Sequence, residues 1–178
     1  QQNLGLVEEA SQTILSLEVY ISDNPSTNVR KRLETLYSQP SFQLNLRHQL
    51  PSRSTCASYS PIKKRLAYFL HNSLPYSSGG YATRAHGLAK GLRIQGYEVI
   101  AFTRPGFPCD INNQIAATDV SEKQVINDVT YVHTLHPSRK SFKSKDYISI
   151  TTNTMVDHFK HYKPEAIIAA SNYSCALP

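Results

Sequence analysis

The feature that most constrains the fold of this chain is a strand–loop–helix–strand pattern in residues 63–106. Residues 66–70 (LAYFL) form a short apolar run, which is typical of a strand buried on both faces. Apolar positions then recur at helical spacing over 81–95, and Gly96 stands where a helix C-cap belongs. A second apolar run at 99–102 completes a βαβ unit. Such a unit predicts a parallel sheet with a right-handed crossover.

The residues that follow extend this pattern. Short runs within 123–134 flank Asn127-Asp128, a pair that tolerates the positive φ of a hairpin turn, and we interpret them as a hairpin inserted into the crossover series. Residues 146–162 carry an apolar stripe at helical spacing, and 166–170 (AIIAA) predict a third buried strand. The predicted fold class is α/β: a three-layer parallel sheet with helices on both faces, incomplete where the sequence stops.

The beginning of the chain has a different pattern. Apolar residues in 3–22 fall three, four and seven apart, as on one face of an amphipathic helix, and 26–37 repeat that spacing. Residues 51–62 are polar, rich in Ser and aperiodic. We therefore predict a helical appendage at 1–50, a linker at 51–62 and the α/β domain at 63–178. The sequence leaves open whether the appendage packs on that domain, forms an oligomer or contacts an upstream domain.

Charge and cysteine content limit the classes of function. Residues 1–60 hold five basic and five acidic side chains, so the net charge of +6 comes wholly from residues 61–178. A basic half favours an anionic partner, which is a phosphate, a nucleic acid or a membrane surface. The three cysteines form no CxxC pair, which favours a reduced, cytoplasmic setting over a disulfide framework or a zinc site. No apolar run approaches the roughly 18 residues of a membrane-spanning helix.

The loop after the first predicted strand ends in Ser77-Ser78-Gly79-Gly80. Paired glycines at a strand-to-helix turn let a ligand approach the backbone, and the following helix offers free N–H groups and the positive end of its dipole. Arg84, one turn into that helix, adds positive charge. A phosphate or a sugar hydroxyl suits this arrangement; the alternative is that the glycines only form a left-handed turn. The loop is neither a GxGxxG fingerprint nor a Walker loop, which disfavours NAD and kinase-type ATP binding.

Further candidates fall at the predicted carboxyl edge of the sheet, where open α/β sheets bind ligands. They follow the three predicted strands in turn: His71, Arg104, and Ser171 with Asn172. We expect their loops to line one ligand-binding cleft; the alternative for each loop is that it is an ordinary connection. His86, early in the helix, is a catalytic candidate if it faces that cleft, although a lone helix histidine also suits a packing role. His158 and His161 have no third ligand nearby, so we predict no metal site.

Residues 68–92 (YFLHNSLPYSSGGYATRAHGLAKGL), with 96–100 (GYEVI) and 103–108 (TRPGFP), resemble the amino-terminal domain of family 4 glycosyltransferases. These are retaining enzymes of GT-B architecture, in which two Rossmann-like domains face each other across a cleft. Residues 163–171 (KPEAIIAAS) look like a later strand of the same domain. The resemblance covers about residues 64–178 and does not extend to the first 60.

The resemblance implies roles for the residues that match the family's motif. Gly79 and Gly80 match the glycine loop, which in such enzymes lies near the donor diphosphate and the acceptor. Arg84 and His86 fall in the part of the motif that opens the first helix. Tyr97 stands where the family often has a histidine, and residues 170–172 (Ala-Ser-Asn) replace a strand end that often carries one. The resemblance therefore assigns no catalytic histidine to that strand.

The family holds the nucleotide and sugar mostly with its second domain, which carries two glutamates seven residues apart. Nothing after residue 64 offers that pair. The resemblance thus implies the acceptor-side part of a glycosyltransferase, and we expect this chain to be inactive alone. It implies a nucleotide sugar as substrate, no metal or cofactor, and action together with a C-terminal GT-B domain on an unidentified acceptor. Peripheral membrane contact and an oligomer through 1–50 are left open.

The alternative from another class is a non-catalytic α/β binding or assembly module, with residues 1–50 as a docking element. Nucleic-acid binding rests on the net charge of +6 alone, and we do not expect it.

Overall fold

The computed structural model describes residues 59–142, 144–170 and 173–176, together with positions 8–10, 12–13, 16, 28 and 32. The chain divides into two compact units, Gln1–Cys56 and Ala57–Pro178. The described positions of the first unit are helical. The rest of the predicted appendage, residues 51–58 of the predicted linker, and Ser171 and Asn172 lie outside the described residues, so these predictions stay predictions. The last linker residue, Ile62, already belongs to a strand of the second unit.

The second unit alternates strands and helices, as the periodicity predicts. In chain order they are β1 (Ile62–Leu70), α1 (Gly80–Ile94), β2 (Glu98–Thr103), β3 (Lys123–Ile126), β4 (Val129–Val132), α2 (Ser144–Tyr162), β5 (Pro164–Ala169) and α3 (Tyr173–Ala176). Short 3-10 helices, Ala117–Asp119 and Arg139–Ser141, precede β3 and α2. None of the helices in the described part of the chain is both long and apolar enough to cross a membrane.

The end of α1 confirms the predicted glycine C-cap. Gly96 has φ 81°, and its N–H donates to the Arg93 carbonyl, while the Tyr97 N–H donates to the Leu92 carbonyl. These two bonds form a Schellman motif, which needs the left-handed backbone that glycine adopts at little cost. The motif turns the chain directly from α1 into β2.

The five strands form one mixed sheet in the order β3-β4-β2-β1-β5. β1 pairs in parallel with β2 and β5, and β2 pairs in parallel with β4. β3 and β4 are antiparallel and joined by Asn127 and Asp128, whose φ angles of 44° and 67° make the predicted hairpin turn. The hairpin lies between β2 and α2 in chain order, as predicted, and its β4 hydrogen-bonds to β2, so the antiparallel β3 becomes an edge strand of the same sheet. The prediction of a wholly parallel sheet is therefore corrected to a mostly parallel one.

The side chains of β1 alternate between two cores, because successive residues of a strand point to opposite faces. The core on the α1 side contains Leu66, Tyr68, Leu70, Ala85 and Ala89. The core on the α2 side contains Ala67, Phe69, Met155 and Tyr162. β1 is thus buried on both faces, as its apolar run predicts, and the unit is an α/β fold with helices on both faces of the sheet.

The prediction that residues 166–170 form a buried strand is only partly right, because β5 is an edge strand. It pairs with β1 on one side, and no other strand of the described residues pairs with its second side. Ile167 is 53 % exposed as a result. An apolar run indicates the strand but does not show which neighbours cover it.

Arg65 ties the amino edge of the sheet together. Its Nε donates to the Glu98 carboxylate at 2.8 Å, and its Nη1 donates to the Tyr162 carbonyl at 2.8 Å. The guanidinium also lies 4.8 Å from the centre of the Tyr162 ring. These contacts join β1, β2 and the end of α2 at the edge opposite the candidate site.

Candidate functional site

The strand order reverses direction next to β1. The chain moves from β1 to β2 and then to β4 on one side, and it returns through α2 to β5 on the other side of β1. Open α/β sheets bind ligands outside the carboxyl ends of their strands at such a reversal. The candidate site is therefore the edge formed by the residues that follow Leu70, Thr103, Val132 and Ala169.

Residues 71–79, called the glycine loop here, connect β1 to the start of α1. Gly79 is the N-cap of α1, no described side chain caps the helix, and its first turn contains no acidic residue. The Thr83 N–H donates to the Gly79 carbonyl at 3.1 Å. The N–H groups of residues 80–82 precede this bond, and a helix has no partners of its own for them. α1 therefore presents N–H groups and its positive dipole end at this edge.

The fold itself does not require glycine at positions 79 and 80. Neither residue has a positive φ, whereas Gly96 and Gly106 do. A Cβ placed on Gly79 or Gly80 meets no atom of the described chain within 4 Å. The interpretation of this pair as a left-handed turn is therefore wrong. The missing side chains instead leave open space directly beside the uncapped start of α1.

Arg84 adds a solvent-accessible positive charge to the start of α1. Its side chain is exposed. Burial raises the pKa of the nearby Tyr68 phenol, and the charge of Arg84 opposes that rise. Arg84 thus lies where the sequence predicts it, on the same helix start as Gly79 and Gly80.

Arg104 lies at the predicted edge, but its side chain is directed into the protein. The residue is 1 % exposed, and two of its guanidinium nitrogens donate to the two carboxylate oxygens of Asp110. Burial alone would lower the pKa of Arg104, but the hydrogen bonds and charges of Asp110 and Tyr147 together outweigh burial and raise it. A guanidinium held this way by a carboxylate has little capacity left for a phosphate. The structure therefore gives Arg104 the role of a loop anchor, in contrast to its predicted binding role.

The loop after β2 packs tightly against the loop after β4. The Gly106 N–H donates to the Thr134 carbonyl at 2.8 Å, and Gly106 has φ 88°. A Cβ on Gly106 would lie 2.9 Å from the Pro137 carbonyl oxygen and 2.9 Å from the Cα of Ser138. Glycine is therefore required here both by backbone conformation and by space.

His86 faces the sheet and lies over β4. Its Nδ1 is 2.7 Å from the Tyr131 hydroxyl, and the two rings are stacked at 6.2 Å. Burial and the charge of Lys90 lower the pKa of His86. This arrangement favours the packing role over the catalytic one.

His71 follows β1 and is half-buried among charged groups. Burial and the charges of Arg104 and Arg139 lower its pKa to about 4, while Asp110 opposes that effect. His71 is therefore neutral near pH 7 and adds no charge to this edge.

Sequence reasoning missed a histidine at this edge. His133 follows β4, is 2 % exposed, and packs with the rings of Tyr76, Phe107 and Tyr131. The signal was available, because Val129, Tyr131 and His133 alternate onto one face of a strand. A strand is predicted from its apolar residues, however, and this criterion does not mark a polar residue at the end of the run.

The described residues contain no group of three or more His, Cys, Asp or Glu side chains that could hold a metal ion. His158, one of the two helix histidines, lies with its Nε2 3.3 Å from the Thr134 hydroxyl.

No family model, curated protein or solved structure matched the chain in comparisons with known proteins. The function is therefore argued from the site itself.

Proposed function

We propose that this chain is the acceptor-side, Rossmann-like part of a retaining glycosyltransferase of GT-B architecture. In this proposal the N–H groups at the start of α1 bind the diphosphate of a nucleotide-sugar donor, and the open space at Gly79 and Gly80 admits it. The resemblance of residues 68–108 to family 4 glycosyltransferases supports the proposal, and so does the reversal of strand order beside β1.

The observation that carries the proposal is the open space that Gly79 and Gly80 leave beside an uncapped helix start. Gly87 and Gly91, further along α1, are equally free of a positive φ and of close contacts, so the pair is distinguished by its position at the carboxyl edge of the sheet. A ligand can approach the backbone closely there, and the absence of a capping or acidic side chain at this helix start favours an anion.

The proposed chemistry divides between two domains. The bond between the anomeric carbon of the sugar and the diphosphate of the donor breaks, and a glycosidic bond forms between that carbon and the acceptor oxygen, which loses its proton. The nucleoside diphosphate departs with a negative charge, and helix N–H groups stabilise that charge as it develops. The described residues of this chain supply that stabilisation and the acceptor side of the cleft. The glutamate pair implied by the resemblance is not present in residues 64–178, whose glutamates are Glu98, Glu122 and Glu165.

Gly80→Ala is expected to weaken the binding of inorganic pyrophosphate by about tenfold or more, equivalent to about 1.4 kcal/mol. The added methyl group occupies the space through which the anion approaches. The same change is expected to raise the free energy of unfolding by about 0.5–1 kcal/mol, because alanine fits this helical position without strain. Amide shifts of residues 80–82 in a pyrophosphate titration followed by NMR measure the affinity.

Gly87→Ala is the matched control. Gly87 lies in the middle of α1, and a Cβ there also meets no described atom within 4 Å. This variant is expected to gain similar stability and to bind pyrophosphate as the unaltered chain does. Equal affinities for Gly80→Ala and Gly87→Ala would show that the glycine pair does not admit an anion and would favour the non-catalytic module.

The chain alone is expected to transfer no sugar. The residues that hold the nucleotide and sugar in this architecture belong mostly to the second domain, as the resemblance implies. Incubation with a panel of nucleotide sugars and acceptors, followed by detection of released nucleoside diphosphate and of glycosylated product, measures this. Transfer above the uncatalysed rate would contradict the expectation.

A further inference from the structure

Four aromatic rings form one cluster beneath the glycine loop, called the ring cluster here (Tyr76, Phe107, Tyr131 and His133). The His133 ring centre lies 5.4 Å from that of Tyr76, 6.2 Å from that of Phe107 and 6.4 Å from that of Tyr131. Tyr76 belongs to the glycine loop, and Phe107 belongs to the loop that Arg104 anchors. His133 is therefore the point where three segments of the carboxyl edge meet.

The packing of His133 is unusual for a histidine. It is 98 % removed from solvent, since its exposure is 2 %, and neither ring nitrogen has a hydrogen-bond partner among the described residues. Buried polar groups are nearly always hydrogen-bonded, and one that is not costs free energy that a phenylalanine at this position would avoid. The choice of histidine is thus not explained by packing alone.

Tyr76 links His133 to the glycines. The Ser77 N–H donates to the Ser73 carbonyl at 2.9 Å, which closes a turn around Tyr76. The loop then continues through Gly79, whose carbonyl accepts hydrogen bonds from the Thr83 N–H and hydroxyl. A displacement of the Tyr76 ring would therefore be passed to the backbone at the start of α1.

We propose that His133 is a positioning residue for the glycine loop. The neutral imidazole of His133 holds the Tyr76 ring in place, the seated position of the loop, and this sets the N–H groups at the start of α1 for an anion. The inference rests on the proposed function for the identity of the anion, but not for the positioning itself. Protonation would place an unpaired charge in a buried aromatic site, so the loop must lift to let water reach the ring. Anion binding is then strongest at neutral pH and falls in acid.

The direction of the pH effect follows from burial. Burial lowers the pKa of His133 from 6.5 to about 4, so a lifted, solvated His133 takes up its proton at a higher pH than the seated ring does. As the pH falls from 6.5 towards about 4, the lifted loop is therefore increasingly favoured, and above that interval the seated loop is favoured.

Other titratable groups lie near the ring cluster. The Tyr76 and Tyr131 phenols have raised pKa values, chiefly through burial, and stay protonated throughout this interval. Asp119 and Cys109 act on Tyr76, and His86 contacts the Tyr131 hydroxyl. His71, which starts the glycine loop, has a pKa lowered to about 4 and titrates in the same interval as His133. A test must therefore change His133 while keeping these groups.

His133→Phe keeps an aromatic ring but removes the titrating nitrogens. Its pyrophosphate affinity is expected to match that of the unaltered chain near pH 7.5 and to exceed it by about tenfold near pH 4.5. Pyrophosphate itself takes up protons in this range, so the ratio of the two affinities at each pH is the measured quantity. His71 is present in both proteins, so the effect of its protonation on affinity cancels in that ratio.

His133→Ala removes the ring and is expected to bind pyrophosphate about tenfold more weakly at every pH, with shifted amide signals of Gly79 and Gly80 in the free protein. Tyr76→Leu removes the ring from the loop side and is expected to act alike, so the inference can be tested if His133→Ala does not fold. Phe159→Leu is the control, because Phe159 packs with Phe102 in the core on the α2 side. It should lower stability without moving the Gly79 and Gly80 signals.

The possible failures are distinguishable. If His133→Phe keeps the pH profile of the unaltered chain, or if Tyr76→Leu leaves the Gly79 and Gly80 signals in place, His133 does not position the loop, even though pyrophosphate binds. If those signals respond as expected but pyrophosphate does not bind to the unaltered chain, the proposed function fails and the positioning stands.

Discussion

Asp110→Ala is expected to lower the free energy of unfolding of the α/β unit by about 3–5 kcal/mol, because it leaves the buried Arg104 guanidinium without its counter-charge. Arg104 and Asp110 are 1 % and 6 % exposed, so water cannot replace the lost carboxylate without opening the loop. Urea unfolding followed by far-UV circular dichroism measures the change. A loss below about 1 kcal/mol would show that the pair is solvated instead.

The double variant Arg104→Met/Asp110→Leu removes both charges but keeps side chains of similar size, so it separates the effect of charge from the effect of packing. Replacing both members of a buried pair by apolar residues of similar size is often close to neutral, since neither charge is then stranded. We expect the double variant to recover most of the stability that Asp110→Ala loses. It should also bind pyrophosphate nearly as well as the unaltered chain, because the structure uses Arg104 to hold the loop. A large loss of affinity would restore Arg104 to its predicted binding role.

Gly106→Ala is expected to lower the free energy of unfolding by about 2–4 kcal/mol, which combines two costs. The first is the left-handed backbone at φ 88°, and the second is the contact of the new Cβ with the backbone of Pro137 and Ser138. Because backbone atoms on both sides are held by hydrogen bonds, neither can give way cheaply. Urea unfolding measures the sum.

Gly96→Ala isolates the first of these costs. Gly96 also has a positive φ, of 81°, but the atom nearest to a Cβ there would be Nζ, at the flexible end of Lys64, 3.9 Å away. We therefore expect a loss of only about 1–2 kcal/mol. If both variants lose the same amount, the tight packing between the loops after β2 and β4 contributes little.

Much of the fold could be predicted because its signals are local. The glycine after α1 and the Asn127-Asp128 pair each specify a backbone conformation within a few residues, and both turns form as expected. The period of the apolar residues specifies α1 and α2 in the same way. The position of β5 could not be predicted, because edge or centre depends on which strands arrive beside it.

The candidate site could be predicted only in part, for a similar reason. The glycine loop and Arg84 are recognisable from the sequence, since the helix start is defined by neighbouring residues. The orientation of the Arg104 side chain depends on Asp110, six residues further on. No sequence pattern identified Asp110 as its partner. The ring cluster joins three separated segments, so no single stretch of sequence carries its signal.

The central place of β1 in the sheet has a consequence for the order in which the unit can form. Of the described strands, β1 is synthesised first, and its contacts with β2 close over a short connection through α1. Its other side has no partner until β5 is synthesised. The Lys64 N–H, for example, donates to the carboxylate of Glu165, 101 residues later. Contacts this distant along the chain form slowly. During synthesis the middle strand therefore has one satisfied side and one open side until nearly the whole unit has left the ribosome.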